Sequence, residues 1–109
     1  MILATVRMVM PPEKRSEAVR ILARTAERTR VEPGCLACHV YQDAKELHQI
    51  LFEEEWRSEE ELTRHLGSDH FRNVLLVMEM ALEPPEIGFH TIEHSAGVEV
   101  IEKARDCRT

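Results

Sequence analysis

Leu51-Phe52-Glu53-Glu54-Glu55-Trp56-Arg57-Ser58-Glu59-Glu60-Glu61-Leu62-Thr63-Arg64-His65-Leu66-Gly67-Ser68-Asp69-His70-Phe71 contains the change of hydrophobic period that decides the fold. Up to Trp56 the pattern alternates, placing Ile50, Phe52, Glu54 and Trp56 on one face of a strand from His48 to Trp56. Ser58-Glu59-Glu60-Glu61 then reads as a capping box, with acids in the first helical turn where the helix dipole favours them. The helix covers 58–66 and stops at Gly67, expected in a left-handed C-terminal conformation. Ser68-Asp69 starts a second helix, with Phe71, Val74, Leu75, Met78 and Leu82 as its apolar stripe. Pro84-Pro85 ends it.

Upstream, Cys35 to Gln42 forms a strand joined to the next by the polar connection Asp43-Ala44-Lys45-Glu46, most simply an antiparallel hairpin. Glu32-Pro33-Gly34 turns the chain into it from a helix over 12–30, with Ala18, Ile21, Leu22 and Thr25 at helical spacing. Before that helix, Ile2 to Met10 is a strand whose two faces are both largely apolar. Downstream, Ile87 to His94 reads as a fourth strand. The order β-α-β-β-α-β specifies an α+β fold, the ferredoxin-like split plait, with helices on one face of a four-stranded antiparallel sheet. Apolar residues on both sides of the strands leave a second face to be covered, and in so short a chain a second subunit would supply that cover. Residues 1–94 are taken as the domain. Residues 95–109 are a C-terminal arm of either helix or strand, expected to pack on the sheet edge or on the partner.

The 109 residues suffice for one domain, and 43% apolar with 31% charged residues is the balance of a globular chain. No apolar run approaches the ~20 residues that span a bilayer, and no basic segment precedes the apolar N-terminus. The expected setting is cytoplasmic, without a membrane partner. A net charge of −6 argues against nucleic acid. That charge is uneven: residues 1–31 hold seven bases and three acids, residues 32–109 seven bases and seventeen acids. Arg20, Arg24 and Arg28 form a basic line on one helix side, read as a solvated face.

Three cysteines cannot pair fully within one chain. Cys35-Leu36-Ala37-Cys38 matches C-x-x-C, but residues three apart on a strand point to opposite faces. No second such pair exists, the remaining cysteine being Cys107, so neither a zinc site nor a redox pair is expected.

Glu54 beside Trp56 on an apolar face is either a hydrogen-bond anchor or a tuned acid. His65 and His70 flank the Gly67 break and could point between helices and sheet, offering a general base or a donor near neutral pH. They do not have the spacing of a metal site.

Glu32-Pro33-Gly34-Cys35-Leu36, the strand ending Val40-Tyr41-Gln42-Asp43, and Glu54-x-Trp56-x-Ser58-x-Glu60-x-Leu62-x-x-His65-x-x-Ser68-x-His70-Phe71 together resemble the antibiotic biosynthesis monooxygenase family. The resemblance covers roughly residues 1–94. It implies a homodimer, a dimeric α/β barrel in which two ferredoxin-like protomers pack sheet against sheet. It also implies oxygenation of a quinol or polyketide-like aromatic by O2 with no metal, flavin or nicotinamide cofactor. On that reading His65 and Trp56 are catalytic, while Phe52, Glu54, His70 and Phe71 bind the substrate. The haem-degrading branch of the family is not implied: Asn73 is the only asparagine and 74–83 hold no histidine. Alternatives within the fold are an isomerase or a non-catalytic small-molecule-binding dimer.

Overall fold

The protein, described by a computed structural model over residues 1–106, has four strands: β1 (Ile2–Val9), β2 (Cys35–Gln42), β3 (Gln49–Trp56) and β4 (Glu86–Thr91). The helices are α1 (Arg15–Thr29), α2 (Glu59–Leu66), α3 (Arg72–Met80) and α4 (Val98–Asp106). A short 3-10 turn over Pro12–Lys14 precedes α1. The sheet order is β2-β3-β1-β4 with every pairing antiparallel, so the split plait expected from the sequence is the fold.

Register fixes which side chains meet. Ala4 of β1 lies between Glu54 of β3 and Phe89 of β4, and Val6 lies between Phe52 and Ile87. The core is built on that face from Ile2, Ala4, Val6, Met8, Ile50, Phe52, Glu54 and Trp56, all buried. α1 covers it with Ala18, Leu22, Thr25, Ala26 and Thr29, and α3 with Val74 and Val77. Arg20, Arg24 and Arg28 are exposed, as a solvated face should be. Thr25 and Thr29 are satisfied inside α1 by donating to the carbonyls of Ile21 (2.8 Å) and Thr25 (2.7 Å).

Several local expectations are corrected. Gly67 ends α2 with φ −87° and ψ −3°, a right-handed conformation; among the described residues Gly34 alone has positive φ, at 88°. α2 continues as a tight turn in which Ser68 donates to the His65 carbonyl at 2.7 Å, so no left-handed cap is required. α3 starts at Arg72 rather than at Ser68-Asp69, because Ser68 accepts from the Phe71 amide and holds 68–71 as a turn. Its buried side chains are Val74 and Val77, whereas Leu75 and Leu82 are 45% and 63% exposed. The helix stops at Met80, since Ala81 is already extended.

The other face of the sheet is mixed rather than apolar. Leu3, Thr5, Arg7 and Val9 of β1 are flanked by Leu51, Glu53 and Glu55 of β3, by His39 and Tyr41 of β2, and by Glu86 and His90 of β4. Within the C-terminal arm, Val98–Asp106 form the helix α4, which has no buried residue. The radius of gyration, 16.3 Å, accordingly exceeds the ~13 Å of a compact chain of about 100 residues. Cys107 lies outside the described residues.

Gly34, in the turn before β2, and Gly67, at the end of α2, give opposite forecasts. A Cβ on Gly34 would sit in the left-handed region and run into the Glu61 carboxylate, whereas one on Gly67 meets nothing nearer than the Thr63 carbonyl at 3.6 Å. Gly34→Ala should lower the unfolding free energy, read from urea titrations, by more than about 1 kcal/mol, while Gly67→Ala should leave it unchanged or raise it by up to about 1 kcal/mol.

Candidate functional site

Alternation along β3 points Glu54 into the core between Phe52 and Trp56, leaving the side chain 3% exposed. Its cross-strand neighbours, Ala4 and Cys38, are small, which leaves space above the sheet at this point. The last turn of α2 brings His65 over the carboxylate, and the His65 Nε2–H group donates to Glu54 Oε2 at 2.7 Å. On its other side the imidazole donates from Nδ1 to Glu32, at 3.0 and 3.1 Å from the two carboxylate oxygens. Glu32 belongs to the turn between α1 and β2, and its side chain is 28% exposed. The Trp56 indole N–H makes a longer contact to Glu54 Oε1, 3.4 Å. Its ring lies 4.7 Å from that of His65, tilted by 32°, and Phe71 meets the imidazole edge-on at 5.2 Å.

Two short contacts to carboxylates, one on each ring nitrogen, require a proton in each, which makes the imidazole a cation held between two anions. Burial is the strongest single influence on His65 and works against that charge. The hydrogen bond and charge of Glu54, then those of Glu32, outweigh it, and the net shift of the pKa is upward.

Beside Glu54 lies a cavity of about 140 Å³ between the sheet and the helices. Ala4, Val6, Phe52 and Glu54 form its floor, Leu66, Phe71, Leu75 and Met78 its helical wall, and Ile87 and Phe89 of β4 its side. Glu54 is the one titratable group in this lining. Ile87 and Phe89 are about half exposed, so the mouth opens between α3 and β4.

Of the residues singled out in the sequence, Phe52, Glu54 and Phe71 line the cavity. Trp56 and His65 form a layer behind Glu54 and do not reach the cavity. His70 lies away from it: Nε2 donates to the Thr25 carbonyl at 3.0 Å and lies 3.2 Å from the Thr29 hydroxyl, tying the start of α3 to α1. Its Nδ1 is buried without a partner. Sequence reasoning missed Glu32, which reads as one residue of an ordinary turn; its acidic side chain three residues before Cys35 was the only signal. It also missed Ile87 and Phe89 as lining.

The premise that Cys35 and Cys38 face opposite sides is overturned. A β-bulge between Cys35 and Ala37 leaves Leu36 unpaired and resets the alternation, so Cys35 pairs with Trp56 and Cys38 with Glu54, on the helix side. Burial, then the charge of Glu54, pushes the Cys35 thiol up to about 11 and Cys38 higher still, which disfavours the reactive thiolate. Among the described residues no three His, Cys, Asp or Glu side chains are grouped to hold a metal ion.

The sequence model of the antibiotic biosynthesis monooxygenase family matches residues 1–75. Protein sll1783 of Synechocystis sp., described as uncharacterized, is 30% identical over 82 residues, 74% of this chain. The match spans 56% of that protein, so the chain accounts for little more than half the length of this relative. Among solved structures, a conserved protein from Methanosarcina mazei Go1 has a TM-score of 0.78 at 29% identity, covering 84% of this chain and 92% of that one. The crystal structure of an antibiotic biosynthesis monooxygenase has a TM-score of 0.77 at 25% identity, covering 86% of this chain and 100% of that one.

A pKa raised by folding means that protonation of His65 stabilises the native state fully below the unfolded value of about 6.5, and that this contribution fades as pH rises through the folded value. His65→Gln also strands the buried Glu54 charge. The variant should therefore be less stable than wild type by about 3 kcal/mol or more at pH 6. The difference between the two urea midpoints should narrow steadily from pH 6 to pH 9.

Proposed function

The chain belongs to the antibiotic biosynthesis monooxygenase family, and from that premise we propose that it oxidises a small, neutral, single-ring quinol with O2 and without a cofactor. The observation that carries this reading is the cavity: about 140 Å³, apolar throughout except for one buried carboxylate. A dry cavity of about 150 Å³ holds one benzene ring. That volume favours a quinol over a multi-ring polyketide-like aromatic. A neutral substrate is favoured because an anion would enter beside Glu54 with no cation in the lining.

Glu54 is the group that touches the substrate. A quinol hydroxyl hydrogen-bonded to it gives up its proton to the carboxylate, and the resulting phenolate reduces O2, which needs no metal once the ring is electron-rich. Oxygen adds to a ring carbon as a hydroperoxide. Cleavage of its O–O bond leaves a carbonyl on the ring, with the proton held by Glu54 returned to the departing oxygen. Quinol and O2 thus become hydroxyquinone and water, with four electrons moving from the ring to oxygen. Phe52 and Phe71 hold the ring, while Trp56 and His65 hold Glu54.

On the same reading the protein is a homodimer, with the uncovered sheet faces of two copies meeting and the cavities left on the outer, helical side. A carboxylate facing an apolar cavity also suits a second reading, an isomerase that shifts a proton between carbons, which would turn over without O2.

With metal-free protein and a methylated hydroquinone, O2 uptake should exceed the uncatalysed rate, and ¹⁸O from ¹⁸O2 should appear in the product. Glu54→Gln should lower kcat by about 100-fold or more. Turnover of the quinol under argon would favour the isomerase, and no rate above background would end the oxygenase reading.

A further inference from the structure

We propose that Glu32 is a positioning residue of this site, the outer member of a Glu32–His65–Glu54 triad that aims the Glu54 carboxylate into the cavity. The proposal rests on the reading that Glu54 acts on the substrate, and it adds the element that lets a single buried carboxylate do so.

Two of the three groups are buried and the third reaches the surface. The Glu54 side chain is 3% exposed, that of His65 0% and that of Glu32 28%, so the chain of hydrogen bonds runs from the cavity wall to the surface. Glu54 has two oxygens with different tasks. Oε2 is taken by His65 at 2.7 Å, and Oε1 has only the long Trp56 contact of 3.4 Å. Holding Oε2 fixes the plane of the carboxylate, and Oε1, with only the long Trp56 contact, is the less engaged of the two oxygens. His65 can hold Oε2 only while Nε2 carries a proton. If the imidazole were neutral with its proton on Nδ1, a lone pair would face Oε2 and the contact would become repulsive. A carboxylate at Nδ1 makes the doubly protonated ring the favoured form, and Glu32 is placed there, bidentate at 3.0 and 3.1 Å.

The surroundings of the imidazole offer no substitute. From β3 it meets Glu54 and the neutral Trp56, and from the turn between α2 and α3 it meets Phe71 and, at 6.5 Å, the ring of His70. From β2 the nearby titratable groups are Cys35 and Cys38, whose thiols are held in the uncharged form by burial. Arg30 is engaged with the Cys38 carbonyl at 2.8 Å and with His39. Glu32 is thus the second anion at the ring.

The turn that carries Glu32 is built to hold it. The Glu32 amide donates to the Thr29 carbonyl at 3.0 Å, and its own carbonyl accepts from the Cys35 amide at 3.1 Å. Gly34 then permits the left-handed step that brings the chain back into β2. Glu32 is therefore held to the end of α1 and the start of β2, and does not sample a free loop.

Glu32→Gln separates charge from shape, because the amide oxygen can still accept from Nδ1–H. In protein with ¹⁵N-labelled histidine and no substrate, the His65 ring should titrate at lower pH in Glu32→Gln than in wild type. With a methylated hydroquinone, kcat should fall by about 10- to 100-fold at little change in KM. The alkaline limb of the pH–rate profile, where His65 loses its second ring proton and with it the positive charge that holds Glu54, should move to lower pH. Glu32→Asp should recover part of both effects. An unaltered His65 titration in Glu32→Gln would overturn the proposal, and so would an unaltered pH–rate profile in an active enzyme. If the ring titration moves but wild type does not oxidise the quinol, the triad stands and the oxygenase reading fails.

Discussion

A carboxylate on the face of β3 that must be apolar for the sheet to pack is the constraint on which the rest of the molecule depends. Taking an ion out of water costs several kcal/mol unless an opposite charge and hydrogen bonds meet it. Glu54 is buried beneath the helices, among Phe52, Trp56 and Ile50. Its compensation is His65, and a cationic imidazole buried in turn requires its own counter-charge, which Glu32 supplies from the surface. Three segments distant in sequence are thereby tied together: the turn after α1, the end of β3 and the last turn of α2. Each has a local feature that permits its part. Gly34 allows the reversal after Glu32, the bulge in β2 turns Cys35 and Cys38 inward beside Glu54, and the Ser58 cap sets where α2 begins and so where its last turn falls.

Small side chains next to that carboxylate make it useful as well as tolerable. With Ala4 and Cys38 flanking Glu54, the sheet floor is low at this point, and α3 stands far enough away to leave a cavity the size of one ring. An apolar wall strengthens interaction with the single charge inside it, because the local dielectric is low. The polar chain behind the wall and the apolar cavity in front of it are two consequences of one placement.

The family and the plait were both legible in the sequence, because the period change at Trp56-Arg57-Ser58, the turn Glu32-Pro33-Gly34 and the proline pair at 84–85 are local signals. The alternation along β3 also identified Glu54 as the anomalous inward residue. Less legible were features that depend on what a residue meets. Gly67 looked like a left-handed cap, yet the continuing turn through Ser68 made that conformation unnecessary. Cys35 and Cys38 looked antipodal because a bulge has no sequence signature in this stretch. The second sheet face looked apolar from β1 alone, whereas Glu53 and Glu55 of β3 make it mixed.

The sequence by itself determined the order of elements, the inward face of each central strand and the identity of the two residues, Glu54 and His65, around which the site is built. These follow from periodicity and capping, which act over a few residues. Only the tertiary structure decided that His65 stands behind Glu54 rather than in the cavity, that His70 serves α1 instead, that Ile87 and Phe89 complete the wall, and that Glu32 closes the triad. Those are contacts between segments distant in sequence, His65 to Glu32 across 33 residues and His70 to Thr25 across 45, set by strand register and by the angle at which helices cross the sheet. A hydrogen bond depends on the direction in which a side chain points as well as on its chemistry, and that direction is fixed only when the layers pack.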